Sequence, residues 1–151
     1  MSLKEEVEIL RNIPLFANLE ASKLKLLAFT SERLTYHAGQ ILFRQGEPGD
    51  AAYIILSGEA DVVVATPNGP LSVAKLGRNA VVGEIAILCD VPRTATVKAE
   101  TEVVTLRVSK DLFFRLVMEF PQIGIEIMRV LANRLERTTV QLREALIKVG
   151  E

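Results

Sequence analysis

Between Arg33 and Val108 the chain is written in short β-branched runs, among them AYIIL, ADVVVAT, LSVAKL, TATVKA and EVVTLRV, each cut off by a turn signal. The punctuation is His37-Ala-Gly39, Gly46-Glu-Pro-Gly-Asp50, Ser57-Gly58 and Pro67-Asn-Gly69, built from residues that adopt or impose the backbone angles of tight turns. Strands of this length at this regular spacing restrict the middle of the chain to a β-sandwich or a small barrel. The flanks have a different period. Leu3, Val7 and Leu10, then Leu24, Leu27 and Ala28, recur at helical spacing over residues 3–11 and 20–29, with Pro14 interrupting the first segment. After the strands, Ser109 is placed to cap a helix over residues 110–118 that stops near Pro121. Ile123, Ile127, Val130, Leu131, Leu135, Leu142 and Leu146 then mark one face of a final amphipathic helix of about 28 residues, roughly 40 Å long.

No internal repeat, low-complexity stretch or linker divides the 151 residues, so a single domain over 1–151 is expected: helices in 1–31, a β-barrel in 32–108 and helices in 109–150. A hydrophobic fraction of 49% supplies its core. The 18 basic and 19 acidic residues nearly cancel, which leaves no cationic surface for direct nucleic-acid or anionic-membrane binding. An anionic ligand must therefore be met by a local arrangement. No run of about 18 apolar residues exists, so neither a membrane span nor a signal peptide is expected. One cysteine, Cys89, forms no internal disulfide, and a reducing cytoplasm is the expected setting. Cys89 is read as a small buried or half-buried apolar residue, and His37 as a strand-end residue before the Gly39 turn. With one histidine the chain lacks the ligands of a metal-dependent cupin and the pairs of a nucleophilic hydrolase, so it is not expected to be an enzyme or to need a cofactor.

The run from Val82 to Val97 breaks the alternating strand pattern. Gly83 lets the backbone turn sharply, Glu84-Ile-Ala-Ile-Leu fits one short helical turn, and Pro92 redirects the chain into the next strand. A helix start presents unsatisfied N–H groups at the positive end of its dipole, which suits an anion. Arg93 adds a planar, permanently charged donor matched to two phosphate oxygens. Glu84 repels a phosphate, but its carboxylate accepts well from a ribose 2′-hydroxyl. One arginine suits a monoanion, and no GxxxxGK[ST] loop is present for an open triphosphate, so the pattern favours a compact cyclic phosphodiester. Each residue also has a plainer reading: Arg93 as a solvated edge charge, Glu84 as a carboxylate stabilised by the helix dipole.

The stretch GEIAILCDVPRTATV resembles the phosphate-binding cassette of the cyclic-nucleotide-binding family, which includes catabolite activator proteins and cyclic-nucleotide-dependent kinase subunits. Ile13-Pro14-Leu15-Phe16, Gly39-Gln40, Gln45-Gly46-Glu47, Gly49-Asp50, Tyr53-Ile54-Ile55 and Ser57-Gly58-Glu59 extend the likeness over nearly the whole chain. The resemblance implies an eight-stranded β-barrel, a double-stranded β-helix or jelly roll, between N-terminal helices and a long C-terminal helix. It implies a ligand site made by Gly83, Glu84, Ile85, Ala86, Arg93, Thr94 and Ala95, with Glu84 on the ribose 2′-hydroxyl and Arg93 on the cyclic phosphate. The backbone amides of Ala86 and Ala95 and the Thr94 side chain lie nearby. Arg134-Leu135-Glu136-Arg137-Thr138-Thr139 resembles the catabolite-activator stretch that reaches the adenine base, making Thr138 and Thr139 candidate base contacts, although both also fit the polar face of the helix. These positions favour cyclic AMP and leave cyclic GMP open, since Thr94 serves either ligand.

Binding is expected to close the C-terminal helix and signal to an unidentified effector protein, with a homodimer through that helix as a further expectation. A domain that keeps the fold but binds protein without nucleotide is the alternative. Direct DNA binding is not expected, because the chain ends at Glu151 with no room for a helix-turn-helix.

Overall fold

The computed structural model describes residues 2–13 and 16–150. Helix α1 (Leu3–Arg11) opens the chain with Ser2 as its cap, the hydroxyl accepting from Glu5 N at 3.2 Å. Pro14, and with it the expected interruption, lies outside the described residues. Helix α2 (Ala21–Thr30) follows, and an ion pair between Glu6 of α1 and Arg33 fastens the helical segment to the first strand. Ser109 caps the helix after the strands as expected, accepting from Leu112 N at 3.2 Å.

Eight strands run between these helices: β1 (Glu32–Tyr36), β2 (Ile41–Phe43), β3 (Ala51–Ser57), β4 (Ala60–Thr66), β5 (Gly69–Leu76), β6 (Val81–Val82), β7 (Thr96–Ala99) and β8 (Val103–Ser109). They form two four-stranded antiparallel sheets, ordered β1-β8-β3-β6 and β2-β7-β4-β5. The protein is therefore mainly β with flanking helices, but pairing among the described residues leaves two open sheets rather than the closed barrel expected. A core of Leu42, Phe43, Ala51, Tyr53, Ile55, Val82, Val97, Ala99 and Val103 is contributed by both. Strand β3 carries its apolar residues without alternation because Ile54 and Leu56, which point away from that core, are buried as well. Strand β5 is exposed along most of its length at a sheet edge and carries Pro70, which an edge position tolerates.

Short helix α3 (Glu84–Cys89) lies between β6 and β7, where the sequence places one helical turn. Helix α4 (Lys110–Glu119) and the 30-residue α5 (Pro121–Gly150) end the chain, with Pro121 in the first-turn position that dispenses with a backbone donor. The described residues group into two compact units, divided between Arg115 and Leu116. Within the second unit, Gly124 brings α5 close to α4: a β-carbon there would stand 3.4 Å from Val117 Cγ1. Met128, Leu135, Leu142 and Val149, seven residues apart, are all exposed on α5, with Leu131, Thr138 and Ala145 falling between them. No helix among the described residues is long and apolar enough to cross a membrane.

Candidate functional site

Arg93 organises the site. It follows Pro92 on the chain that leaves α3, and it is only 3% exposed. Burying a guanidinium is costly unless its charge and donors are met, and β2, β3, the turn before β3 and the start of α3 supply what is needed. Arg93 Nη1 donates to Gly83 O at 2.8 Å and Nη2 to Ala51 O at 2.7 Å. Its carbon centre sits 4.1 Å from the centroid of the Phe43 ring, whose face attracts a cation. The Asp50 carboxylate is 3.5 Å from Nη2. Burial pulls the Arg93 group below its ordinary range, an effect opposed by Tyr53, Asp50 and Glu47. A guanidinium starts so high that it stays charged at neutral pH. Its Nε is buried and has no hydrogen-bond partner among the described residues. An acceptor such as a phosphate oxygen fits a donor left in that condition.

The turn before β3 is built onto this arginine. Gly46 N donates to Arg93 O at 2.9 Å and Arg93 N to Glu47 O at 2.8 Å, so the Arg44–Asp50 turn and the Pro92–Thr94 segment run together as a short ladder. The same turn presses on α3, because a β-carbon on Gly49 would stand 2.5 Å from Ala86 Cβ. Gly83 adopts φ 88° at the start of α3, and a β-carbon there would come within 2.5 Å of Arg93 Nη1. Two glycines therefore bring backbone within reach of the arginine and the helix.

Glu84 opens α3 and is buried at 5% exposure; Ala86 is also buried and Ala95 half-buried, whereas Ile85 and Thr94 are exposed. Gly83, Glu84, Arg93 and their neighbours are thus gathered around one turn. Arg93 is no solvated edge charge. Thr138 and Thr139 are exposed on α5, in the second unit, where the Thr139 hydroxyl donates to Leu135 O at 2.8 Å. Cys89 corrects the expectation of burial: it is exposed, because it closes α3 just before Asp90 turns the backbone left-handed at φ 52°.

Several members of the site escape the sequence pattern. Phe43 stacks on Tyr53 with centroids 5.7 Å apart, Tyr53 pairs with Arg107 across β3 and β8, and Arg107 Nη2 donates to Asp50 Oδ2 at 3.0 Å. Arg93, Phe43, Tyr53, Arg107 and Asp50 form a closed circuit. Period-two counting along EVVTLRV puts Arg107 on the face of Val103 and Thr105, and an arginine at an inward position was the available signal. An open groove of about 590 Å³ runs beside β1 and β2, lined by Thr35, Tyr36, Gln40, Phe43 and Arg44 among others. It shares Phe43 with the Arg93 seat but contains neither Glu84 nor Arg93, so the buried charge locates the chemistry better than the groove does.

The cyclic nucleotide-binding domain pattern matches residues 33–120. The chain is similar to a CRP-like cAMP-activated global transcriptional regulator of Mycobacterium tuberculosis, 31% identical over 92% of this chain and 62% of the relative. It is also similar to a cAMP-dependent protein kinase regulatory subunit of Emericella nidulans, 34% identical over 72% of this chain and 26% of the relative. Both relatives thus extend well beyond what this chain spans. Among solved structures, the catabolite activator protein of Thermus thermophilus superposes with a TM-score of 0.78 at 26% identity, covering 85% of this chain and 61% of that one. Those matches, taken with a cassette folded around a buried arginine, show that the chain belongs to the cyclic nucleotide-binding domain family.

Proposed function

We propose that the protein is a receptor for a cyclic nucleotide, cyclic AMP in preference to cyclic GMP, and not a catalyst. The observation that carries this reading is Arg93: a fixed charge, 3% exposed, with one donor unmet among the described residues. A purely structural core has no use for such a group, whereas a monoanionic phosphodiester completes it. In this reading the phosphate sits on the turn of residues 83–96 against Arg93, with Gly83, Ile85, Ala86, Thr94 and Ala95 around it. Glu84 takes the ribose 2′-hydroxyl and so rejects 2′-deoxy ligands. Thr138 and Thr139 contact the base, and no cofactor is required. The two sheets read as an open form of the family's jelly roll. Ligand favours a state in which the C-terminal helix closes over the base and signals to an effector protein in the cytoplasm, a population shift limited by the ligand's differential affinity. The exposed seven-residue repeat on α5 supports a homodimer through that helix.

Calorimetric titration with cyclic AMP, cyclic GMP and 5′-AMP tests the reading. Cyclic AMP is expected to bind with micromolar or tighter affinity, cyclic GMP more weakly and 5′-AMP weakest. Arg93→Ala is expected to lose roughly 2 to 5 kcal/mol of binding. A folded Arg93→Ala variant that binds as well as the wild type refutes the assignment.

A further inference from the structure

Asp50 stands between two guanidinium groups and treats them unequally. Its Oδ2 accepts a hydrogen bond from Arg107 Nη2 at 3.0 Å, while its Oδ1 lies 3.5 Å from Arg93 Nη2, which donates to Ala51 O instead at 2.7 Å. Glu47, the other acidic group of this turn that acts on Arg93, is engaged elsewhere, its Oε1 accepting from Arg44 N at 2.6 Å. Arg107 is itself well held. Strand register makes Tyr53 and Glu32 its direct partners on β3 and β1, and the Glu32 carboxylate approaches within 3.9 Å. Burial pulls the Arg107 group down, but Tyr53 and Asp50 together raise it above its ordinary range. Arg107 is therefore a fixed cation whose strongest carboxylate partner is Asp50.

We propose that Arg107 is a positioning residue for anion binding: it holds the Asp50 carboxylate off Arg93 and so leaves the Arg93 charge to an incoming phosphate. The inference rests on the reading that Arg93 seats the phosphate. A carboxylate and a phosphate compete for the same guanidinium, and the charge-assisted bond goes to whichever anion is placed in contact. With Arg107 present, Asp50 is near enough to offset the buried charge of Arg93 without occupying its donors. Without Arg107, Arg93 becomes the remaining cation beside Asp50, the pair closes, and a ligand phosphate must displace it. Arg107 thereby acts on affinity through Asp50, without touching the ligand.

The test is titration of cyclic AMP into wild type, Arg107→Gln, Asp50→Asn and the double variant, with thermal unfolding recorded for each. Arg107→Gln is expected to bind about tenfold more weakly, the scale of one charge-assisted bond. In the Asp50→Asn background the same change is expected to cost less than about twofold, because no carboxylate remains to close on Arg93. A merely structural role lowers stability and affinity alike in both backgrounds, and that result overturns the inference, as does Arg107→Gln binding like wild type. Should Arg107→Gln fail to fold, Arg107→Lys provides the comparison at about two- to threefold amplitude, again only where Asp50 is intact. Wild type that binds no cyclic nucleotide overturns both this inference and the phosphate reading. Wild type that binds while the two backgrounds respond equally overturns this inference alone.

Discussion

Gly83 does two jobs that no side chain permits. Its φ of 88° is left-handed, and the space where a β-carbon would project is taken by Arg93 Nη1 at 2.5 Å. Gly83→Ala is expected to lose about 1 to 2 kcal/mol to backbone strain alone. Further stability and ligand affinity go as Arg93 is pushed from its carbonyls. Urea unfolding paired with cyclic AMP titration checks this, and an unchanged midpoint and affinity would show that the turn has slack. This part of the site was legible because it is local: Gly83, Glu84 and Arg93 lie within one short run, so their types and spacing carried the reading. Cys89 was misread because hydrophobic character does not reveal which way the last residue of a six-residue helix faces. Phe43, Asp50 and Arg107 were missed for the opposite reason. They reach Arg93 only through strand pairing and turn packing that join distant parts of the chain.

At the scale of the strands, the turn signals located the β segments well, and the long apolar run of β3 was recognisable as a strand. What alternation does not disclose is how the strands divide between two sheets, because that depends on non-local register. One residue of this sheet has a chemical consequence. Tyr36 ends β1, paired with Val103 of β8, while Tyr53 pairs with Arg107 further along the same strand. Burial, helped by the Tyr53 hydroxyl and opposed by Arg107, pushes Tyr36 from 10.0 up to about 12. A phenol protonated more tightly in the folded state contributes stability that is fully present below pH 10 and is lost as pH rises through about 12. Tyr36→Phe is expected to flatten the decline of the unfolding midpoint across that window, with the remaining tyrosine followed by phenolate absorbance. An identical decline in both proteins would remove Tyr36 as the cause.

At the scale of the whole molecule, the exposed repeat of Met128, Leu135, Leu142 and Val149 leads to a prediction about assembly. Sedimentation equilibrium is expected to give twice the chain mass, and Leu135→Glu with Leu142→Glu to return a monomer, since like charges cannot share a helical seam. A wild-type monomer at tens of micromolar would remove the dimer while leaving the receptor intact. The circuit around Arg93 has a further consequence for biosynthesis. Arg93 bonds a carbonyl 42 residues upstream, and Arg107 reaches back 57 residues to Asp50. A chain emerging from the ribosome carries the complete cassette before it has made β8, yet those long loops must close before the arginine is held. On the receptor reading, a nascent chain is expected to reach full affinity only once β8 has brought Arg107 to Asp50.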